Sequence, residues 1–331
     1  MANRTAPAFV SLARTMTLRI ATAILVVTLL ILGVFYQVAS SQQERGAARY
    51  ANAKAEAVAR SLDIFDQTMK LTADNAYSVF RRDFEATFVL DEAAKSVSSY
   101  GTPITGTTEV DGFARNFPGA NATVFVAEGE DFRRLTTSVL KENGERAIGT
   151  LLDRKSAAYP VVRAGKKFVG RVMLFGRPYM TVYEPVLDAS GKIVAILYIG
   201  LDVGKQQAAL GDAVNKTRIF DTGGLYIVNP AADPADATLI FHPSAAGKKL
   251  SEVLQAGSAD WVKRLAGDDA GWIDNAPAVF DKATEGPHYA SVSRSSETGW
   301  LVVAEAPASE VLADLYRQML WLGSFIAIAA L

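Results

Sequence analysis

The chain has 331 residues, half of them hydrophobic, with 34 Lys and Arg against 35 Asp and Glu, two histidines and no cysteine. Near-neutral charge excludes the concentrated basic face of a nucleic-acid binder. The missing cysteines exclude disulfides, thiolate metal sites and a thiol nucleophile, while His242 and His288 alone leave little for imidazole chemistry.

In chain order, the first predicted element is a membrane span. No charge occurs from Ile20 to Gln43, and residues 20–38 read IATAILVVTLLILGVFYQV, long enough for a helix to cross a bilayer core. Arg4, Arg14 and Arg19 precede it and no acidic residue appears before Glu44. That places residues 1–19 in the cytoplasm and exports the chain beyond the span. Val38-Ala39-Ser40 resembles a signal-peptide cleavage site, but the apolar run exceeds a signal h-region, so an uncleaved anchor is the reading.

A long helix is expected to continue outward over residues 39–100. Ala51, Ala55, Val58, Leu62, Phe65, Met69, Thr72, Ala76, Val79 and Phe80 recur at three- and four-residue steps, which is one apolar stripe. Gly101 to Gly112 is turn-rich and reads as a loop. Short β runs come next at 122–127, 134–139, 171–175, 179–187 and 192–203, bounded by Gly, Asp and Ser. Their hairpin-like spacing implies an antiparallel sheet. A second set echoes the first: strands at 224–229, 238–242, 289–293 and 300–306, with a helix over 256–265. The module boundaries are placed at 101–205 and 206–315. Residues 316–331, with an uncharged run from Gln318 and an interfacial Trp321, read as the start of a second transmembrane helix. The fold class is α+β: a long N-terminal helix carrying two antiparallel-sheet modules between membrane helices.

The modules differ in charge. Residues 121–183 hold eleven Lys and Arg against six Asp and Glu, whereas residues 206–312 hold eight against fourteen. Arg is the bidentate partner of a carboxylate, so the basic first module is the candidate binder of a small organic anion. Alternation puts Tyr179, Thr181 and Tyr183 on one face of a strand, and Arg134 and Thr136 on one face of another. Arg133, Arg171 and Arg177 are expected at the surface, solvated or paired with Glu128, Glu130 or Asp131. His242 reads as structural, and Asp268-Asp269 as a solvated turn. No G-x-S-x-G, H-E-x-x-H, P-loop or dinucleotide fingerprint occurs, so no enzyme and no cofactor is expected.

The phrases RRLTTSVLKENGERAIGT (133–150) and FGRPYMTVYEPV (175–186) resemble the double-module Cache sensor domains of the Cache 3/Cache 2 fusion type. GLYIVN (224–229) and TGWLVVAE (298–305) match more loosely. The resemblance implies PAS-like modules in the extracytoplasmic part of bacterial transmembrane receptors, mostly chemoreceptors, with some histidine kinases and cyclases. It implies a periplasmic sensor in the inner membrane, with a small organic acid as ligand. A homodimer through paired long helices is consistent with the stripe at 44–88. Carried over from organic-acid-sensing relatives, the contacts are Arg134, Thr136, Tyr179, Thr181 and Tyr183, with Arg146 and Lys141 secondary. Single-module citrate-type sensors carry a histidine near the second strand; Thr137-Ser138 stands there in this chain. A protein-partner or dimerisation module without a small ligand is the alternative.

Overall fold

The computed structural model describes residues 12–254, 256–267, 271–281 and 286–329. Arg4, Asp268-Asp269 and the last two residues of the second apolar run lie outside them. The chain divides into two compact units, one of residues 60–214 and 295–299, the other of the remainder.

The first unit contains the end of α1 (Leu12–Arg81), β1 (Val89–Asp91), β2 (Ser96–Ser99), β3 (Thr102–Pro103), α2 (Thr108–Asn116), β4 (Ala120–Glu128), β5 (Asp131–Thr137), α3 (Ala158–Arg163), β6 (Phe168–Leu174), β7 (Arg177–Leu187), β8 (Ile193–Asp202) and most of α4 (Gly204–Lys216). Strands β4 to β8 make one antiparallel sheet in the order β5-β4-β8-β7-β6. Both of its faces are covered. Val124, Val126, Met180, Val182, Leu197 and Ile199 pack with Ala76, Tyr77 and Phe80 of α1. Phe125, Phe132, Tyr183, Ile196 and Tyr198 pack with Ala158 and Val162 of α3 on the other side. Two buried faces explain why β4 and β8 read as nearly continuous apolar runs rather than clean alternation.

The expected helix over 39–100 is too long: α1 stops at Arg81. Its end tightens into three-residue hydrogen bonds, Arg82 N–H to Val79 O and Asp83 N–H to Phe80 O, a common way for a last turn to satisfy its carbonyls. Arg81 then donates to the carbonyls of Phe84 and Ala86, closing the exit. Residues 89–103 form the small β1-β2-β3 sheet instead, so the Glu-Ala-Ala-Lys sequence at 92–95 lies at a hairpin, with Lys95 in the left-handed region. The expected loop over 101–112 likewise gives way to β3 and the start of α2.

A charge sits within the buried stripe of α1. Asp66 is 2% exposed and accepts from Arg171 Nε at 2.6 Å and from Lys70 Nζ at 2.9 Å. Lys70 also reaches Glu297 at 2.8 Å, in the turn whose residues 295–297 cap onto Asp63 through Ser295 Oγ, Ser296 N–H and Glu297 N–H. Removing one member of a buried ion pair leaves the others uncompensated. Asp66→Ala is therefore expected to cost about 3 kcal/mol, read from urea unfolding of wild type and variant; a loss below a few tenths would show the network to be idle.

The second unit holds the earlier part of α1, β9 (Arg218–Ile219), β10 (Gly223–Asn229), β11 (Thr238–Phe241), α5 (Leu250–Val253), α6 (Ser258–Ala266), β12 (Ile273–Ala276), β13 (His288–Arg294), β14 (Leu301–Pro307), α7 (Ala308–Val311) and α8 (Ala313–Ala329). Its sheet runs β11-β10-β14-β13-β12, with β9 also on β10. Numbered within each sheet with the short β9 left aside, both units share one strand order: second, first, fifth, fourth, third. The echo in the sequence is thus a repeated topology. Ala47, Ala51, Ala55 and Ala59 are buried at four-residue steps, and Glu44 and Asn52 of this stretch accept from Tyr289 and Ser291 of β13. His242 is structural as expected: Nδ1 accepts from the N–H of Ser244 and Ala245, so Nε2 carries the proton and donates to Val279 O at 2.9 Å.

Among the described residues one helix, the N-terminal part of α1, is long and apolar enough to cross a membrane. Leu25, Leu30 and Ile31 there are exposed, as are Leu320, Trp321 and Phe325 of the shorter α8.

Candidate functional site: a pocket at Arg134

The site begins with the two edge strands. Residues 149–152 run along the free edge of β5, with Arg134 N–H on Thr150 O, Gly149 N–H on Arg134 O and Leu152 N–H on Phe132 O. At the opposite edge, β6 contributes Arg171 to Leu174. Both edges line one pocket of about 480 Å³, together with Arg134, Asp153, Ser156, Phe175 and Tyr183. Its walls mix apolar side chains with polar and charged ones, the charged ones being Arg134, Asp153 and Arg171.

Arg134 is 3% exposed. Its Nη1 donates to Thr150 Oγ1 at 2.7 Å and to Leu151 O at 3.1 Å. No carboxylate lies within ion-pair distance among the described residues, and Nε has no partner there. Burial pulls the guanidinium pKa below its usual value, opposed by the nearby Tyr183 and Tyr198. Aromatic faces provide part of the missing compensation: the guanidinium carbon is 4.9 Å from the Phe125 ring centre and 5.9 Å from that of Phe175. A buried, unpaired cation is costly.

Other unsatisfied groups gather on the same sheet face. Tyr183 and Tyr198 are fully buried, their ring centres 4.6 Å apart. Neither hydroxyl has a partner among the described residues, nor has Asn121 Oδ1. Burial pushes both phenols well above the usual range, so they are neutral donors. Asn121 pairs with Gly200, and a Cβ on Gly200 would come within 2.9 Å of Asn121 Oδ1 and closer still to Tyr198 Oη. Unsatisfied buried polar atoms are rare enough that each calls for a cause, and a water or ligand is the usual one.

The sequence-predicted residues divide. Arg134 and Tyr183 meet in the pocket. Tyr179 and Thr181 do share the Tyr183 face, since Met180 and Val182 point into the α1 side, but they lie beyond the pocket lining. Thr181 Oγ1 is occupied by Gly170 O at 2.7 Å. Thr136 does not share a face with Arg134. A bulge makes Thr136 the partner of Val124 and Arg134 the partner of Phe125, leaving Leu135 as the extra residue; a bulge resets strand alternation. Thr136 therefore lies on the α1 side with Val124. Arg146 is committed to Asp111 at 2.8 Å and to Thr137 O. Lys141 pairs with Glu145 at 3.7 Å. Neither lines the pocket. Of the arginines expected at the surface, Arg133 pairs with Glu128 at 2.6 Å as anticipated, and Arg171 pairs with Asp66 instead. Sequence reasoning missed Phe125, Thr150, Phe175 and Tyr198. Tyr198 was the most accessible of these, because the register that pairs it with Tyr183 comes from aligning the two long hairpin strands.

Two sheets share one topology, and the first carries a pocket with a buried cation. A model of the Cache 3/Cache 2 fusion domain matches residues 36–319, and the chain belongs to that family. No curated relative matches. Among solved structures, the ligand-binding domain of the Pseudomonas aeruginosa amino acid chemoreceptor PctC in complex with GABA is similar at 14% identity, covering 78% of this chain and 98% of that one, TM-score 0.47. A Campylobacter jejuni chemoreceptor ligand-binding domain with L-norvaline is 12% identical over 82% and 94%, TM-score 0.45. The extracellular domain of a putative histidine kinase is 15% identical over 85% and 97%, TM-score 0.41. At these values no ligand or output passes from them to this chain.

Proposed function

We propose that the chain is the extracytoplasmic sensing region of a transmembrane receptor, and that the 60–214 unit binds a small organic acid through Arg134. The observation that carries the reading is Arg134 itself, a buried cation with an open Nε and no carboxylate of its own among the described residues. A carboxylate supplies the missing countercharge, and Tyr183 Oη is the neutral donor beside it. The apolar start of α1 supports membrane anchorage, and the arginines before it support export of the rest. Because α1 is one unbroken helix from that segment to Arg81, a ligand that favours one packing of the sheet on α1 can bias what the helix does in the membrane. Chemoreceptor output is the proposed role, in a homodimer.

The test is a thermal-shift screen of the full chain in detergent against organic acids and amino acids. At a hundredfold excess over Kd a ligand adds about 2.7 kcal/mol, or roughly 5–10 °C for a unit of this size. A folded protein that no acid in a broad panel stabilises would reject the small-acid reading.

A further inference from the structure

We infer that Phe175 is a specificity-determining residue of this pocket and that it selects monocarboxylates with an apolar body; the inference rests on the carboxylate reading of Arg134. The β6–β7 hairpin pairs Leu174 with Arg177, leaving Phe175 and Gly176 as a two-residue loop. Both have positive φ, 48° and 76°, the arrangement of a type I′ turn, which favours Asn, Asp or Gly at its first position. An aromatic residue there is strained.

Strain alone does not single it out. Tyr100 and Gly101 have φ of 51° and 67° in the turn between β2 and β3, and the Tyr100 ring is 66% exposed. The Phe175 ring instead folds inward. It is half-buried, lines the pocket and stands 5.9 Å from the Arg134 guanidinium. The strained conformation thus places an apolar cover beside the cation that awaits its partner. The second arginine in the lining, Arg171, is already neutralised by Asp66. One available cation beside Phe175, Leu174 and Val172 suits one carboxylate and an alkyl group, and leaves a second carboxylate facing apolar side chains or the Asp153 carboxylate of the same lining.

Calorimetric titration of the full chain in detergent, with isobutyrate against succinate and citrate, tests this. Wild type is expected to bind isobutyrate at least tenfold tighter than either polyacid. Phe175→Asn relaxes the turn, so its melting temperature is expected to rise by a few degrees while isobutyrate affinity falls at least tenfold. Phe175→Gly, which relieves the turn without any side chain, is expected to lose the same affinity. A variant pair that binds isobutyrate as wild type does makes Phe175 a turn residue only and overturns the inference. Wild type that prefers succinate or citrate also overturns it while leaving Arg134 as the anion site. Wild type that binds no carboxylate overturns both readings together.

Discussion

Arg134→Met is expected to weaken carboxylate binding by about 30-fold or more and to leave the unliganded protein at least as stable as wild type. The two halves have one cause. Truncating one partner of a buried, hydrogen-bonded charge pair costs roughly 2–5 kcal/mol of affinity, and about 1.4 kcal/mol is a factor of ten. In the unliganded protein the same guanidinium has no carboxylate opposite it, and replacing buried charge with an apolar side chain of similar length is often neutral or stabilising. Against that gain stand the lost bonds to Thr150 Oγ1 and Leu151 O, each worth about 1.5–3 kcal/mol at most, and the aromatic contacts with Phe125 and Phe175. The measurement pairs chemical denaturation without ligand and titration with it. Arg146→Met is the control: its guanidinium serves Asp111 and Thr137 O, so it is expected to lose stability and keep affinity. If Arg134→Met unfolds as readily as that control and binds as wild type, Arg134 is scaffold.

The two modules were legible because their strands are long and their turns strongly marked. The Asp188-Ala-Ser-Gly191 turn that opens β8 has Asp188 Oδ1 accepting from Ser190 and Lys192 N–H, and Gly191 at positive φ, the chemistry that turn residues announce. Arg134 and Tyr183, carried over from the family resemblance, are the two named positions that line the pocket. The rest of the site was not legible, for specific reasons. The bulge at Leu135 leaves no mark in the sequence Leu-Thr-Thr, yet it moves Thr136 to the far face. Arg146 and Arg134 look alike in one dimension; only the fold brings Asp111 to one and leaves the other without a carboxylate. Phe175 reads as an apolar residue before a turn glycine, and its significance depends on the opposite edge of the sheet contributing to the same pocket.

Glu305→Gln is expected to remove most of the pH dependence of stability that the second unit, which includes β14, shows between about pH 5 and pH 8. Glu305 lies within β14, 1% exposed. Its carboxyl accepts from the N–H of Val279 and Phe280 at 3.1–3.3 Å, and faces the buried Tyr226 and the charge of Asp281. Val279 is held from its other end by His242 Nε2, and the Phe280 ring fills the space that Gly224 leaves by lacking a Cβ, with Arg218 over the ring at 5.5 Å. The two amides favour the ionised form, but burial outweighs them and pushes the carboxyl from 4.5 up to about 8. A folded-state pKa above the unfolded one means that folding takes up a proton between those values. The stabilisation is therefore fully present below about pH 4.5 and is lost as pH rises through about 8. The full span corresponds to roughly 5 kcal/mol. Gln keeps the carbonyl acceptor for Val279 and Phe280 and cannot ionise, so the variant should match wild type near pH 5 and exceed it at pH 8. Thermal denaturation of both proteins across that range decides it. Curves that stay parallel would show that the two amides hold Glu305 as a carboxylate throughout, and that the segment around Val279 is fixed by a permanent buried charge.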